Sequence, residues 1–136
     1  MAKDEIYDPL RRKNVRRTPE EEVRQSVIAW LNRELGTPMT LMASEYGFVF
    51  NGRQYRADIV VFDRSLNPLL LVECKAPSVA IDRRVIEQAM RYNRVLSVKY
   101  ILVTNGNTSY LCSRDAASGE FRFTAEVPKY EEMLQQ

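Results

Sequence analysis

Two carboxylates and a lysine lie where apolar segments of the sequence begin and end. Asp58 opens the apolar run 59–62, and Glu73 and Lys75 close the run 69–72. Charged groups are costly to bury unless they are paired or bind a metal. Carboxylate oxygens suit Mg²⁺, and a bound cation activates water and stabilises charge on a phosphoryl oxygen. These residue types therefore point to metal-assisted phosphoester chemistry. The alternative is a surface ion pair where a strand emerges into solvent.

The composition limits the kinds of catalysis that are possible, because the 136 residues include no histidine and only two isolated cysteines, Cys74 and Cys112. Without histidine there is no Ser–His or Cys–His nucleophile and no His-ligated zinc. Any enzyme here must use carboxylates, lysine, tyrosine or an oxygen-bound cation. The net charge of +2, with 45% hydrophobic and 28% charged residues, is ordinary for a globular domain. No apolar run could span a membrane and no signal peptide opens the sequence, so we expect a cytoplasmic protein without membrane contact.

Hydrophobic periodicity predicts a mixed α/β (α+β) fold. Residues 1–17, which include the run RRKNVRR, lack periodicity and are predicted to be an irregular basic tail, with a single domain over 18–136. The predicted elements are a helix at about 18–35, strands at about 41–50, 54–62 and 69–75, a helix at about 80–97, and strands at about 100–104, 109–113 and 120–127. The order α-β-β-β-α-β-β-β predicts a central mixed sheet flanked by helices.

The predicted strand pairing brings the two carboxylates together. The turn at 63–68 separates the strands that contain them, and Asp58 and Glu73 lie at similar distances from its centre. If these strands pair as a hairpin, the two residues are side by side at one edge. Side chains alternate along a strand, so Glu73 and Lys75 share a face. The second carboxylate favours a functional site over a simple surface ion pair.

Each predicted helix adds further candidates. Thr18 and Glu21 have the spacing of a capping box at the start of the first helix. Glu20 then falls at the centre of the apolar face and is the carboxylate left for a role in the core, with Glu21 as the second choice. In the second helix Gln88 and Tyr92 are neighbours on one face. Taken alone, that pair would indicate a core tyrosine and a surface glutamine.

In their order along the chain these residues resemble a nuclease family. Ala57-Asp58 with Glu73-Cys74-Lys75 resembles the PD-(D/E)XK signature, with alanine in place of the usual proline, and Gln88 to Tyr92 resembles its QxxxY variant. The strings RADIVV, LLVECKAP and VTNG are similar to those of the N-terminal nuclease domain of type I restriction enzyme R (restriction) subunits. The resemblance covers about Thr18 to Pro128. A bare D…ExK is weak, but its combination with the helical glutamate and QxxxY is specific.

The resemblance implies a restriction-endonuclease-like fold and Mg²⁺-dependent hydrolysis of DNA phosphodiester bonds, with Mn²⁺ able to substitute. It implies that Asp58 and Glu73 bind the metal and that the backbone carbonyl of Cys74 is available as a third ligand. Lys75 would be the catalytic lysine. Glu20, with Glu21 as the fallback, would be the helix carboxylate and a further candidate to bind the metal. Gln88 and Tyr92 would position the site or contact DNA.

Arginines are the candidates for DNA contacts, since they grip phosphates, although an exposed arginine on a helix is usually only solvated. The candidates are Arg24, Arg53, Arg83, Arg84 and Arg91. R subunits are long motor proteins, whereas this sequence contains no Walker A motif. The expected partners are therefore DNA, a motor or a methyltransferase and specificity protein, and a second copy of the chain as a homodimer. The alternative function is a nuclease-fold module that binds nucleic acid or a protein and is inactive without a partner.

Overall fold

The structure, a computed structural model, describes residues 4–135, and the side chains of 92–95 lie outside that description. The first element is a β-hairpin, in which β1 (Glu5–Asp8) pairs antiparallel with β2 (Lys13–Arg16). The prediction of an irregular tail is therefore wrong for these residues. Strands this short show no clear alternation in the sequence. The polar contacts of Asp8 and Arg11 support this hairpin, and Leu10 in its turn packs against the apolar core.

Asp8 is the centre of those contacts and is 0% exposed. Its Oδ1 accepts hydrogen bonds from the backbone N–H groups of Leu10 at 2.8 Å and Arg11 at 3.3 Å, and its Oδ2 accepts from Arg11 Nε. Burial alone would raise the pKa of Asp8, but the hydrogen bonds from Arg11 and Leu10 outweigh it and bring the pKa below its ordinary value. A buried carboxylate thus fixes the turn of the hairpin.

Replacing Asp8 by alanine is expected to lower the free energy of unfolding by about 2 kcal/mol, because the hydrogen bonds include one to a charged partner. Urea denaturation measures the change, with Asp4→Ala, an exposed residue of the same segment, as the control. The folded pKa of Asp8 is depressed, so its contribution is present at neutral pH and is lost as the pH falls through that pKa. Equal midpoints for the two variants would contradict a buried role for Asp8.

Helix α1 (Pro19–Arg33) begins where the sequence predicts. Thr18 is the N-cap, and its Oγ1 accepts a hydrogen bond from the Glu21 N–H at 3.0 Å. The return bond of the predicted capping box is not formed, because the Glu21 carboxylate binds Arg11 and Gln25 instead. The buried apolar residues of α1 share one face at helical spacing: Val23, Val27, Ile28 and Leu31.

Six strands form one mixed sheet in the order β3-β4-β5-β6-β7-β8. The strands are β3 (Met42–Phe50), β4 (Arg53–Phe62), β5 (Pro68–Cys74), β6 (Tyr100–Thr104), β7 (Ser109–Arg114) and β8 (Phe121–Thr124). Only β5 and β6 pair parallel, and helix α2 (Arg83–Leu96) lies between them in the chain, as a parallel connection requires. The predicted mixed sheet flanked by helices is confirmed, and so is the order of its elements.

Each face of the sheet has its own apolar core. On one face α1 packs against side chains such as Leu70 and Val72 of β5. On the other face Ala89 and Leu96 of α2 lie in a cluster with Leu71 of β5. Strands covered on both faces have continuous apolar sequences, as the run 69–72 does. The central strands are therefore rigid supports for the charged residues at their ends.

Two short elements were not predicted, a 3₁₀ helix (Met39–Leu41) and helix α3 (Tyr130–Gln135). Tyr130 is 0% exposed and anchors α3, because its hydroxyl donates to the carbonyl of Phe62 and its N–H to the carbonyl of Leu35, both at 2.8 Å. Helices this short give no periodic signal. None of the helices within residues 4–135 has the length and apolar character that crossing a membrane requires.

Candidate active site

The pairing of β4 with β5 brings Asp58 and Glu73 together. Ile59 is aligned with Val72, and the strands are antiparallel. Asp58, which precedes Ile59, therefore lies opposite Glu73, which follows Val72. The Cys74 N–H donates to Asp58 Oδ2 at 2.7 Å, and the two carboxyl groups share a hydrogen bond. Glu73 Oε1 is buried with no hydrogen-bond partner among the described residues. Structural stability alone does not favour two largely buried acids in contact.

The two carboxyl groups of the acidic pair, Asp58 and Glu73, both have raised pKa values. Burial, with the nearby Asp58 carboxylate, raises the pKa of Glu73 to about 9. Burial also raises the pKa of Asp58, although the bond from the Cys74 N–H and the charge of Arg24 oppose it. The hydrogen bond between the acids lowers the pKa of Asp58 and raises that of Glu73. Of the two acids, Glu73 therefore holds a proton more readily and Asp58 ionises more readily.

An interruption of the β3–β4 ladder directs Asp58 toward α1. Residues on either side are paired, but Glu45 and Asp58 are not, and Glu45 has a left-handed backbone conformation with φ of 53°. Ala57 packs in the core on the α2 side and Ile59 in the core on the α1 side. Asp58, between them, contacts Arg24 of α1. Strict alternation therefore fails at this point, and two successive residues face the same helix.

Lys75 and Glu20 surround the acidic pair. Lys75 follows β5 directly, and its N–H donates to the carbonyl of Thr104 at 2.8 Å, which ties it to the end of β6. Glu20 lies in the first turn of α1, where burial and the charge of Asp58 raise its pKa while Lys75 acts to lower it. The charges of Lys75 and Glu20 also act on the pKa of Glu73. The structure thus brings four of the predicted site residues together from α1, β4 and the end of β5.

Glu21 has a different set of partners. Its Oε1 accepts a hydrogen bond from Arg11 Nη2 at 2.8 Å, and its Oε2 accepts from Gln25 Nε2 at 3.0 Å. Its Oε2 also lies 3.4 Å from Arg24 Nε. Both carboxylate oxygens are therefore engaged with other side chains. Of the two helix glutamates, the geometry favours Glu20 as the one that faces the acidic pair.

Arg24 does not lie where a phosphate contact would be. It is 5% exposed, its Nη2 is 3.3 Å from Asp58 Oδ1, and its Nη1 is 3.3 Å from Glu45 Oε1 and 3.2 Å from Ser44 Oγ. The expectation that it grips DNA is therefore wrong, because its guanidinium is enclosed by protein carboxylates. Its charge instead favours the ionised form of Asp58. The spacing from Glu21 to Arg24, one helical turn, was the available sequence signal for this role.

Gln88 lies on the exposed side of α2. It lines one depression with Arg91, Phe50 and Tyr55, and a wider one that includes Arg84. The β3–β4 hairpin and α2 therefore border a surface of mixed charge, because Asp82 and Glu87 line the wider depression together with Arg84 and Arg91. A role for Gln88, Arg84 and Arg91 in DNA binding stays a prediction.

The remaining candidates are Tyr92, Arg53 and Arg83. The side chain of Tyr92 lies outside the described residues. Arg53 is exposed at the start of β4, and Arg83 is exposed with its Nε 3.2 Å from Glu87 Oε1. Exposed helical ion pairs contribute little to stability, so that contact leaves Arg83 available to a phosphate.

The acidic pair fits a hard divalent cation by the chemistry of its donors. Asp58 supplies the acid of the pair that ionises more readily, and Glu73 Oε1 is a buried oxygen that no described group satisfies. Within residues 4–135 no three Asp, Glu, His or Cys side chains converge into a metal cluster. A cation at the pair would therefore complete its shell with backbone oxygen and water, as Mg²⁺ commonly does. Magnesium binding stays a prediction.

One family model and two solved structures are similar to this chain. A family model described as type I restriction enzyme R protein N terminus (HSDR_N) matches residues 19–128. The fold is similar to a fragment assigned as an HsdR subunit of a type I restriction enzyme from Vibrio vulnificus YJ016, with a TM-score of 0.63 and 22% identity over 85% of this chain and 24% of that chain. It is also similar to a protein assigned as a nuclease of DUF820 from Anabaena variabilis ATCC 29413, with a TM-score of 0.56 and 12% identity over 91% of this chain and 81% of that one. No curated protein matches.

Proposed function

The chain belongs to the family of type I restriction enzyme R protein N termini, and we propose that it is a DNA endonuclease domain of that family. In this proposal it hydrolyses phosphodiester bonds with the help of Mg²⁺. The observation that carries the proposal is the acidic pair, in which Asp58 in the middle of β4 meets Glu73 near the end of β5, with Lys75 and Glu20 beside them. This is the donor set that metal-assisted hydrolysis requires.

Each residue of the group has a role in this proposal. Asp58 and Glu73 would hold Mg²⁺, with the backbone carbonyl of Cys74 as a further ligand. The bound ion supplies a water of lowered pKa and positive charge for the phosphoryl oxygens. Lys75 would orient the attacking water or stabilise the negative charge on the phosphate. Glu20 faces the pair from α1 and would position the metal or its water.

The chain spans 24% of the matched HsdR fragment, so the activity of a whole restriction enzyme is a separate matter. We propose that DNA reaches this domain with the help of a motor, or of methyltransferase and specificity proteins, in the cytoplasm. A homodimer would place two sites on opposite strands. The domain itself would supply only the chemical step.

A plasmid nicking assay tests the proposal. We expect the purified protein to convert supercoiled plasmid to nicked or linear DNA with Mg²⁺ or Mn²⁺ and not with EDTA. Lys75→Ala, purified in parallel, is the control, because a contaminating nuclease would be present in both samples. Equal nicking by the two proteins would reject the proposal.

A second candidate is a nuclease-fold module that binds DNA or a protein and is inactive alone. The contact between Arg24 and Asp58 Oδ1, at 3.3 Å, favours it, because a guanidinium there competes with a metal for the carboxylate. Calorimetric titration with Mg²⁺ or Mn²⁺, with and without DNA, separates the two candidates. Absence of metal binding even with DNA present would support the module, and metal binding would support the nuclease.

Glu20→Gln and Glu21→Gln are expected to have different effects. Glu20→Gln should lower the cleavage rate by about tenfold to hundredfold, as the loss of a metal-site partner does. It should leave the unfolding midpoint unchanged, because burial already disfavours its charge. Glu21→Gln should lower the free energy of unfolding by about 1–3 kcal/mol, since Arg11 and Arg24 lose a charged partner. Urea denaturation measures the stability of each variant, and the nicking assay measures its cleavage rate. If Glu20→Gln were destabilised and Glu21→Gln were not, Glu21 rather than Glu20 would be the site carboxylate.

A further inference from the structure

Two arginines and two glutamates form a closed ring of ion pairs beside the acidic pair. Arg11 lies 2.8 Å from Glu21 and 3.5 Å from Glu45, and Arg24 lies 3.4 Å and 3.3 Å from the same two glutamates. The four members come from the N-terminal hairpin, α1 and β3. The side chains of Arg24 and Glu21 are 6% and 8% exposed. We name these four residues the charge ring.

In each arginine of the charge ring, the third guanidinium nitrogen contacts an aspartate outside the ring. Arg24 Nη2 lies 3.3 Å from Asp58 Oδ1. Arg11 Nε donates to Asp8 Oδ2, and Asp8 is fully buried. The charge ring therefore connects Asp8, the buried aspartate of the hairpin, to Asp58 of the acidic pair. Networks of this kind act as a unit in a partly buried setting.

We propose that Arg11 is a positioning residue of the site, acting on Asp58 through Glu21, Glu45 and Arg24. Each glutamate is shared between the two arginines. Without Arg11 both glutamates would depend more on Arg24, which each already contacts, while Glu45 Oε2 would keep its contact with Arg56 at 3.1 Å. That attraction would draw Arg24 Nη2 away from Asp58 Oδ1.

The orientation of Asp58 depends on contacts from both sides. Its Oδ2 is held by the Cys74 N–H at 2.7 Å, and its Oδ1 is held by Arg24. A carboxylate fixed at both oxygens has one orientation, whereas one fixed at a single oxygen can rotate. Catalytic carboxylates lose activity when their supporting contacts are loose. The N-terminal hairpin is thus part of the site, although the family model begins only at residue 19.

Asp8 makes Arg11 suitable for this role. An arginine on a surface gains little from an ion pair, because ordering its side chain opposes the attraction. Asp8 accepts from both the backbone N–H and the Nε of Arg11, so the guanidinium is oriented before it meets the ring. A lysine could not reproduce this arrangement, since a single ammonium cannot span the three carboxylates that Arg11 contacts.

Hydrogen exchange of the Cys74 amide tests the proposal without any need for activity. NMR would compare Arg11→Ala and Arg11→Lys with Arg16→Ala, an exposed arginine of the same hairpin. We expect the Cys74 amide to exchange about tenfold faster or more in Arg11→Ala, because its acceptor is less firmly held. Arg11→Lys should fall between, and Arg16→Ala should match the wild type. Unchanged Cys74 exchange in both Arg11 variants would overturn the proposal.

A double-mutant cycle measures the effect on cleavage, which rests on the proposed nuclease function. We expect Arg11→Ala to lower kcat by about tenfold with KM for DNA unchanged, as the loss of a supporting contact does. In the background of Arg24→Gln the same change should have no further effect, because the connection to Asp58 is already broken. Additive effects would overturn the proposal. If Arg11→Ala fails to fold in urea controls, Arg11→Lys takes its place in the cycle. If the wild type does not cut DNA, the nuclease assignment fails while the exchange experiment still decides the role of Arg11.

Discussion

Asp58→Asn is expected to lower the rate of DNA hydrolysis by about a thousandfold, which corresponds to ~4 kcal/mol of transition-state stabilisation. Asp58 is the more readily ionised member of the acidic pair, because the hydrogen bond from the Cys74 N–H and the charge of Arg24 favour its ionised form. Asparagine keeps the shape of the side chain and an oxygen that can accept from the Cys74 N–H. It removes the negative charge that a cation needs. The loss should therefore appear in catalysis and metal binding rather than in folding.

Single-turnover nicking with excess protein measures this loss. Asp63→Asn is the matched control, because Asp63 follows β4 directly and its carboxylate accepts bonds from Ser65 and Asn67, which asparagine can also do. The control should cut like the wild type. A rate for Asp58→Asn within about tenfold of the wild type would be too small an effect for the main carboxylate ligand and would remove Asp58 from that role.

The metal-free protein is expected to become less stable as the pH rises, by as much as ~1.4 kcal/mol per pH unit from this one group. Burial and Asp58 raise the folded pKa of Glu73 to about 9, against an ordinary value of 4.5 for an unfolded chain. Between these values the folded state binds one more proton than the unfolded state. A higher pH therefore favours the unfolded state throughout that window, and the contribution is complete only below the unfolded pKa.

Urea denaturation in EDTA at pH 6 and pH 8 measures this change. Glu73→Gln is the control, because a neutral side chain of the same shape has no proton to lose, so its stability should vary less with pH. The difference between the two proteins should grow by about 2–3 kcal/mol over the two units. Saturating Mg²⁺ should reduce it, since the ion would bind the ionised pair. Parallel pH profiles for wild type and Glu73→Gln would show that Glu73 is already ionised in the folded chain.

The central part of the site was predictable because local rules determine it. The Asn51-Gly52 turn and the short 63–68 turn specify antiparallel pairing, and equal spacing from a turn places Asp58 opposite Glu73. The cap at Thr18 fixes where α1 begins and so which face Glu20 occupies. These relations depend on near neighbours in the chain and on regular periods, which a sequence displays directly.

The support of the site was not predictable, because it depends on long-range contacts between charges. Arg11 meets Glu45 only after the hairpin folds against β3, and no periodic pattern relates them. The left-handed conformation of Glu45 and the interrupted ladder are likewise results of tertiary packing. A basic run of residues resembles a solvated tail in the sequence, whereas one of its arginines is oriented by a buried aspartate.

Tyr130 has a mechanical consequence. It bonds to the carbonyl of Leu35, just beyond the last turn of α1, and to the carbonyl of Phe62, the last residue of β4. Glu20 lies in the first turn of α1, at the opposite end from Leu35, and Asp58 lies in the middle of β4, four residues before Phe62. Tyr130 therefore links the C-terminal ends of α1 and β4, and the ion pair of Arg24 with Asp58 links the same two elements a second time. The separation of the Glu20 and Asp58 carboxylates thus depends in part on Tyr130, a residue outside the site.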